Sequence, residues 1–179
     1  MQALAWSPDG GTLASGSFDH TIRLWDGQEG TSRVALQGHS AVVNGLAFTP
    51  DSRGLLSGSD DGMLRLWDME SGQCLRIVQG YAVTLYDVAW SPDGRRLAVG
   101  SFSGSPQQHF VALVDAETGS LLSRLRGLSG PVTAVAWSPD GEVIAAGTHW
   151  GEVRLWDVKG GRSRGASPAA SRRAGSKSV

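Results

Sequence analysis

A six-residue phrase, AWSPDG, recurs along this chain at an almost fixed interval, and no other feature restricts the fold as much. It begins at Ala5, returns as AFTPDS at Ala47, and reappears as AWSPDG at Ala89 and Ala136, in steps of 42, 42 and 47 residues. A second phrase keeps the same interval: LWD begins at Leu24, Leu66 and Leu155, with LVD at Leu113 in the third place. The two phrases are also locked to each other, since Pro8 to Trp25, Pro50 to Trp67 and Pro139 to Trp156 are each 17 residues apart. Self-similarity at such a period marks an array of supersecondary units, none able to hide its apolar surface alone.

The fullest unit opens at residue 38 and reads GHSAVVNGLAFTPDSRGLLSGSDDGMLRLWD, followed by CLRIV. Turn residues divide it into four short apolar runs, and strands are expected near 42–48, 54–59, 63–68 and 73–79. In the SPDG turns of the sister units, Pro fixes φ and Asp-Gly closes a tight reversal. The runs are apolar on both faces, the pattern of sheets covered on both sides. Units of about 1–37, 38–79, 80–126 and 127–158 follow. The fourth is expected to stop after a strand at 152–157 and so to lack its outermost strand.

The Gly38-His39 opening, the Trp67-Asp68 close, the four runs and the period together resemble the WD-repeat family of β-propellers. The resemblance implies an all-β fold of four blades, each an antiparallel four-stranded sheet, with the last blade incomplete and the propeller partial or open. It also implies a structural tetrad at His39, Ser57, Asp61 and Trp67, in which a loop imidazole, a strand hydroxyl, a turn carboxylate and an indole N–H satisfy one another. Buried, such groups are costly without partners. Unit one keeps Ser15, Asp19 and Trp25. Unit three has Tyr81, Val99 and Val114, and unit four Leu128, Ala146, Trp150 and Trp156, so both are expected to be held mainly by apolar packing.

Charge is unevenly placed. Residues 1–158 carry ten arginines against seventeen acidic side chains, whereas residues 159–179 carry six cations and no acid. An acidic body is a poor grip for phosphate backbones, so nucleic acid is expected only through the basic tail, which reads as disordered. No run of 18 apolar residues and no secretory leader pattern is visible, which predicts an intracellular protein, cytoplasmic or nuclear, without a membrane partner. Cys74, the single cysteine, lies in the apolar run CLRIV and is expected to be buried and inert.

Nothing points to an enzyme. The Ser57–His39–Asp61 set would be tied into a blade interior, and GRSRG at 161–165 matches a nucleophile-elbow pattern without the strand that should precede it. The four histidines have no metal-ligand spacing and no Walker-type loop occurs, so no cofactor or metal is expected. Binding is the remaining class. If strands alternate, the loop between strands two and three and the connection to the next unit share one end, which in WD-repeat proteins is the usual partner face. By position it would present Phe18, Val42, Asn44, Asp60, Thr84, Tyr86, Thr133, His149 and Trp150. Unit three adds a five-residue insertion within SGSPQQH, contributing Ser105, Gln107 and His109. The expected role is a non-catalytic scaffold binding a peptide or loop of another protein. A substrate-receptor or sensor arm of a multidomain complex is the alternative, and self-association or further blades would complete the ring.

Overall fold

The computed structural model describes residues 1–78, 84–102 and 109–167. Sixteen strands form four separate antiparallel sheets, each following chain order, and no helix occurs among the described residues. Blade one contains β1 (Ala3–Trp6), β2 (Thr12–Gly16), β3 (Ile22–Asp26) and β4 (Ser32–Leu36). Blade two contains β5 (Val43–Phe48), β6 (Gly54–Ser59), β7 (Leu64–Asp68) and β8 (Cys74–Val78). Blade three contains β9 (Thr84–Trp90), β10 (Arg96–Phe102), β11 (Val111–Asp115) and β12 (Leu121–Leu125). Blade four contains β13 (Val132–Trp137), β14 (Val143–Thr148), β15 (Val153–Asp157) and β16 (Ser163–Ser167).

The all-β, four-bladed architecture is the one the repeat predicts, and blade four adds to it. The sequence reading leaves this blade without an outermost strand and starts the tail at 159, but β16 pairs with β15, Val153 opposite Ser167 and Leu155 opposite Gly165. The cause is a turn. Asp26, Asp68 and Asp115 each stand four residues before a left-handed glycine whose N–H donates to the aspartate carbonyl, and Asp157 with Gly161 repeats the arrangement at 2.8 Å and φ 59°. Main-chain pairing then needs only the open edge of β15, so a strand forms from a segment too polar to be recognised by its side chains. Residues 168–179, the rest of the expected tail, lie outside the described residues.

Three apolar clusters fill the three junctions between blades. Ile22 and Leu24 of blade one meet Leu46, Phe48 and Trp67 of blade two. Leu56 and Leu64 meet Leu85, Val88 and Val99, and Ala98, Val111 and Leu113 meet Val135, Ile144 and Trp156. Side chains of this size contribute about 1.5–3 kcal/mol each when fully buried. The innermost strands pack in sequence, β1 on β5, β5 on β9 and β9 on β13. The approach is close: a Cβ on Gly45 would lie 2.9 Å from the Cα of Asp87. No comparable packing returns from β13 to β1 among the described residues, so the blades form an open arc.

Outer strands are covered on fewer sides. β8 is largely exposed, and Cys74 with it, contrary to the buried thiol expected from CLRIV. An apolar run at a blade's rim lacks a further strand beyond it, and the Cys74 thiol points to the Arg76 carbonyl at 3.4 Å.

Candidate partner-binding face and blade networks

Antiparallel order places the β2–β3, β6–β7 and β14–β15 loops at one end of the arc with the connections between blades. At that end three inner strands carry the same irregularity. Val43 pairs with Ser59 and Gly45 with Gly58, which leaves Asn44 as an extra residue. Tyr86 is skipped likewise between Leu85 and Asp87, and Thr133 between Val132 and Ala134. A bulge re-aims the side chain of its extra residue. Each of the three stands three residues before the alanine of the AWSPDG phrase. Gln2, exposed at the same distance before Ala5, belongs to this series and is absent from the sequence-based set.

The expected face residues divide into three groups. Phe18 is 60 % and Trp150 55 % exposed, and Asp60, Thr133 and His149 are also exposed. Val42, Asn44, Thr84 and Tyr86 are half-buried. Asn44 is already engaged, donating through Nδ2 to Asp60 Oδ1 at 2.6 Å and to the Leu85 carbonyl at 3.1 Å, which ties blade two to blade three. His109 corrects the expectation of an exposed side chain, because it is buried and meets Trp150 edge-on with ring centroids 6.3 Å apart. The other face of that indole lies on Gly130, where a Cβ would fall 2.7 Å from Trp150 Cε3. Trp150 therefore roofs the junction of blades three and four while leaving half its surface to solvent. Ser105 and Gln107 lie outside the described residues.

Below this face, blade two holds a continuous hydrogen-bonded chain. Trp67 Nε1 donates to Ser57 Oγ at 2.8 Å, Ser57 Oγ lies 2.7 Å from His39 Nε2, and His39 Nδ1 lies 2.8 Å from Asp61 Oδ2. Burial depresses the His39 pKa, and the adjacent Asp61 only partly offsets this. The imidazole is therefore neutral at neutral pH. Its Nδ1–H donates to the carboxylate and its Nε2 accepts the Ser57 hydroxyl proton, so every polar atom in the chain has a partner. For Asp61, burial pushes the pKa up, but the His39 bond and the Ser40 and Met63 N–H groups outweigh it and leave it lowered. Ser57 is fully buried and its oxygen receives the Trp67 N–H, so a substrate has no path to this serine.

The sister blades treat the same position differently. In blade one Trp25 Nε1 donates to Ser15 Oγ at 2.9 Å, while Asp19 stays within its own loop, accepting from the Thr21 hydroxyl and N–H. Blade three buries Val99 and Val114 completely. Blade four was expected to rely on apolar packing, yet Glu152, buried, accepts from the Ser129 N–H at 2.7 Å and hydroxyl at 2.5 Å, and its other oxygen receives Arg154 Nε at 3.0 Å. Burial raises its pKa and the Ser129 bonds more than reverse the effect. Glu152 occupies the place of Met63, two residues beyond that of Asp61. A search confined to the tetrad spacing passes over it, because its partner Ser129 lies 23 residues away in the chain.

Asp87 is the one acid here held high. Burial between the inner strands raises its pKa to about 6, against the lowering effect of the Val135 and Val88 N–H donors. At the opposite end of the arc the reverse holds. Asp9, Asp51, Asp93 and Asp140 each accept from a Ser or Thr hydroxyl two residues earlier, which lowers all four. A hollow of about 730 Å³ between blades two and three opens there, beside Asp51, Trp90, Asp93 and Arg95. Its carboxylates serve as turn acceptors, and no group of three or more metal-ligating side chains is assembled among the described residues.

Four stretches, residues 2–26, 30–68, 72–105 and 119–157, match the WD domain, G-beta repeat family. The chain belongs to that family, whose members are generally non-catalytic scaffolds that bind other proteins. Among individual relatives, the probable cytosolic iron-sulfur protein assembly protein 1 of two strains of Cryptococcus neoformans var. neoformans serotype D is 62 % identical over 26 residues. That is 14 % of this chain and 6 % of the relative. The similarity is therefore shorter than one repeat. No helix among the described residues is long and apolar enough to cross a membrane.

Proposed function

We propose that this chain is a non-catalytic scaffold that docks a peptide or loop of another protein on the end of the arc carrying Phe18, Tyr86, Thr133, His149 and Trp150. The observation that carries this reading is the pairing of the β2–β3 and β14–β15 loops. On that shared face, from blades one and four, each presents an aromatic ring more than half exposed, Phe18 and Trp150. Aromatic anchors surrounded by polar groups are the usual source of binding energy in interfaces. The bulged residues between them supply the adaptable contacts.

The cytosolic protein similar to this chain over 26 residues supports an intracellular setting and a place within a complex, and names no pathway for it. Two of the six cations beyond residue 158 are spent within blade four, Lys159 on Glu142 at 2.9 Å and Arg164 on Asp157 at 2.7 Å. This weighs against nucleic acid as the partner. Affinity recovery of bound proteins from cell extract tests the reading. Trp150→Ala and Tyr86→Ala are expected to abolish recovery while thermal unfolding stays cooperative, and recovery retained by both variants would refute the assignment.

A further inference from the structure

Two junctions inside the arc, between blades two and three and between blades three and four, open into hollows at the end opposite the loop face. The two are built alike. Each is lined by the tryptophan of the later blade's AWSPDG phrase and the proline of the earlier blade's turn, Trp90 with Pro50 in the first and Trp137 with Pro92 in the second. Both indole N–H groups are engaged in the joint itself, Trp90 Nε1 donating to the Ala47 carbonyl at 3.2 Å and Trp137 Nε1 to the Ala89 carbonyl at 3.3 Å. What each half-buried ring offers its hollow is therefore apolar surface.

Charge separates them. The second hollow, of about 430 Å³, is balanced by the chain itself, with Arg96 and Lys159 among its walls to answer Asp93 and Asp140. The first, of about 730 Å³, carries Glu117 where blade four has Lys159. Arg95 is the one cation among its described lining residues, against Asp51, Asp93, Asp115 and Glu117. Arg76 reaches the Ala116 and Glu117 carbonyls and is held there. The three aspartates accept their turn hydrogen bonds through Oδ1, which leaves each Oδ2 without a bond among the described residues. Those bonds, from Thr49, Ser91 and Thr118 above all, also hold the three carboxyls below their ordinary pKa, so all are charged.

We infer that the hollow between blades two and three is a second docking site, which takes an arginine-bearing segment of a partner protein. The guanidinium lies on the Trp90 ring and donates to the unbonded carboxylate oxygens, while the methylenes of the side chain run past Pro50 and Pro92. The inference goes beyond the proposed loop-face function and uses none of its residues. Arginine suits the site because its planar fork both stacks on an indole and donates to carboxylates. The carboxylates are spread too widely for a metal, since no group of three or more metal-ligating side chains occurs among the described residues. A volume of about 730 Å³ falls within the range of ligand pockets and has room for more than one side chain. The sister hollow, satisfied by cations from within the chain, shows the same chemistry already completed.

A blocked Ala-Arg-Arg-Ala peptide, titrated into the 179-residue chain at about 0.15 M salt, is expected to bind saturably by calorimetry and to shift the Trp90 indole N–H resonance. The matching Ala-Gln-Gln-Ala peptide should do neither. Glu117→Lys gives the hollow the cation its sister holds, and Asp51→Asn with Asp93→Asn removes two charges while keeping Oδ1 as a turn acceptor. Each change is expected to weaken binding by at least about tenfold. Asp9→Asn, the same turn acid in blade one and outside the hollow, should leave binding unchanged. Three results overturn the inference: no saturable binding by the unaltered chain, full-strength binding by Glu117→Lys, or an equal loss in Asp9→Asn, which would reduce the effect to net charge. If the paired asparagines unfold the chain, Glu117→Lys at its exposed position decides the matter alone.

Discussion

Blades two and four each bury a tryptophan and each tether the loop that enters the blade, but with different chemistry. Blade two runs one uninterrupted chain from Trp67 through Ser57 and His39 to Asp61, with both ends inside the protein. In blade four Leu128 and Ala146 replace the imidazole and hydroxyl, and Glu152 ties the entering loop to Arg154 through the exposed Ser129. A closed buried chain loses much when one member is removed, because its neighbours are left unpaired without water. A carboxylate holding an exposed residue such as Ser129 loses less, because water takes over the bond.

The sharpest way to break this comparison is Trp67→Ala, which removes a side chain that is 2 % exposed together with the first donor of the chain. Large-to-small changes of this kind cost about 3–5 kcal/mol. Chemical denaturation should show the loss as a lowered midpoint. His39→Ala leaves Ser57 and Asp61 without their shared partner and is expected to cost about 1–3 kcal/mol by the same measurement. Glu152→Ala is expected to cost about 1 kcal/mol, the range of a hydrogen bond whose donor can turn to water. If Glu152→Ala proved the costlier of these last two, the distinction between the blades would fail.

The smallest effects concern pH and separate two buried groups of opposite sign. His39 is depressed by burial, so the unfolded chain takes up its proton first. The stability it contributes is present above about pH 6.5 and is lost as pH falls toward the lower folded value. Asp87 is raised to about 6, so its contribution is present below about pH 4 and is lost as pH rises through 6. The two effects oppose each other in the same interval. Asp87→Asn is therefore expected to make the loss of stability on acidification from pH 7 to 5 steeper, and His39→Gln to make it shallower. Denaturation midpoints across that interval check both, and parallel curves for the two variants would contradict the assigned directions.

Much of the fold was legible because the period fixes where each turn must fall, and turns with Asp and Gly admit few conformations. What stayed hidden depends on neighbours rather than on spacing. Glu152 takes up the entering loop from two positions beyond the expected aspartate, something only the folded loop reveals. The strand at 163–167 is recruited by an open edge and a turn at Asp157 and Gly161, not by its own side chains. His109 and Cys74 exchange their expected burial because cover is set by Trp150 in one case and by the blade's rim in the other. The bulges at Asn44, Tyr86 and Thr133 cannot be read from apolar patterning, since the runs are apolar on both faces and the one-residue change of phase leaves no mark in them.

Those bulges separate two tasks that a regular strand would force on the same residues. A side chain released from the sheet's in-and-out alternation can change size or charge without disturbing the apolar seams between blades. Position 133, exposed on the proposed docking face, is thus a natural site for diversification, where a library of variants would test that face on an unchanged frame.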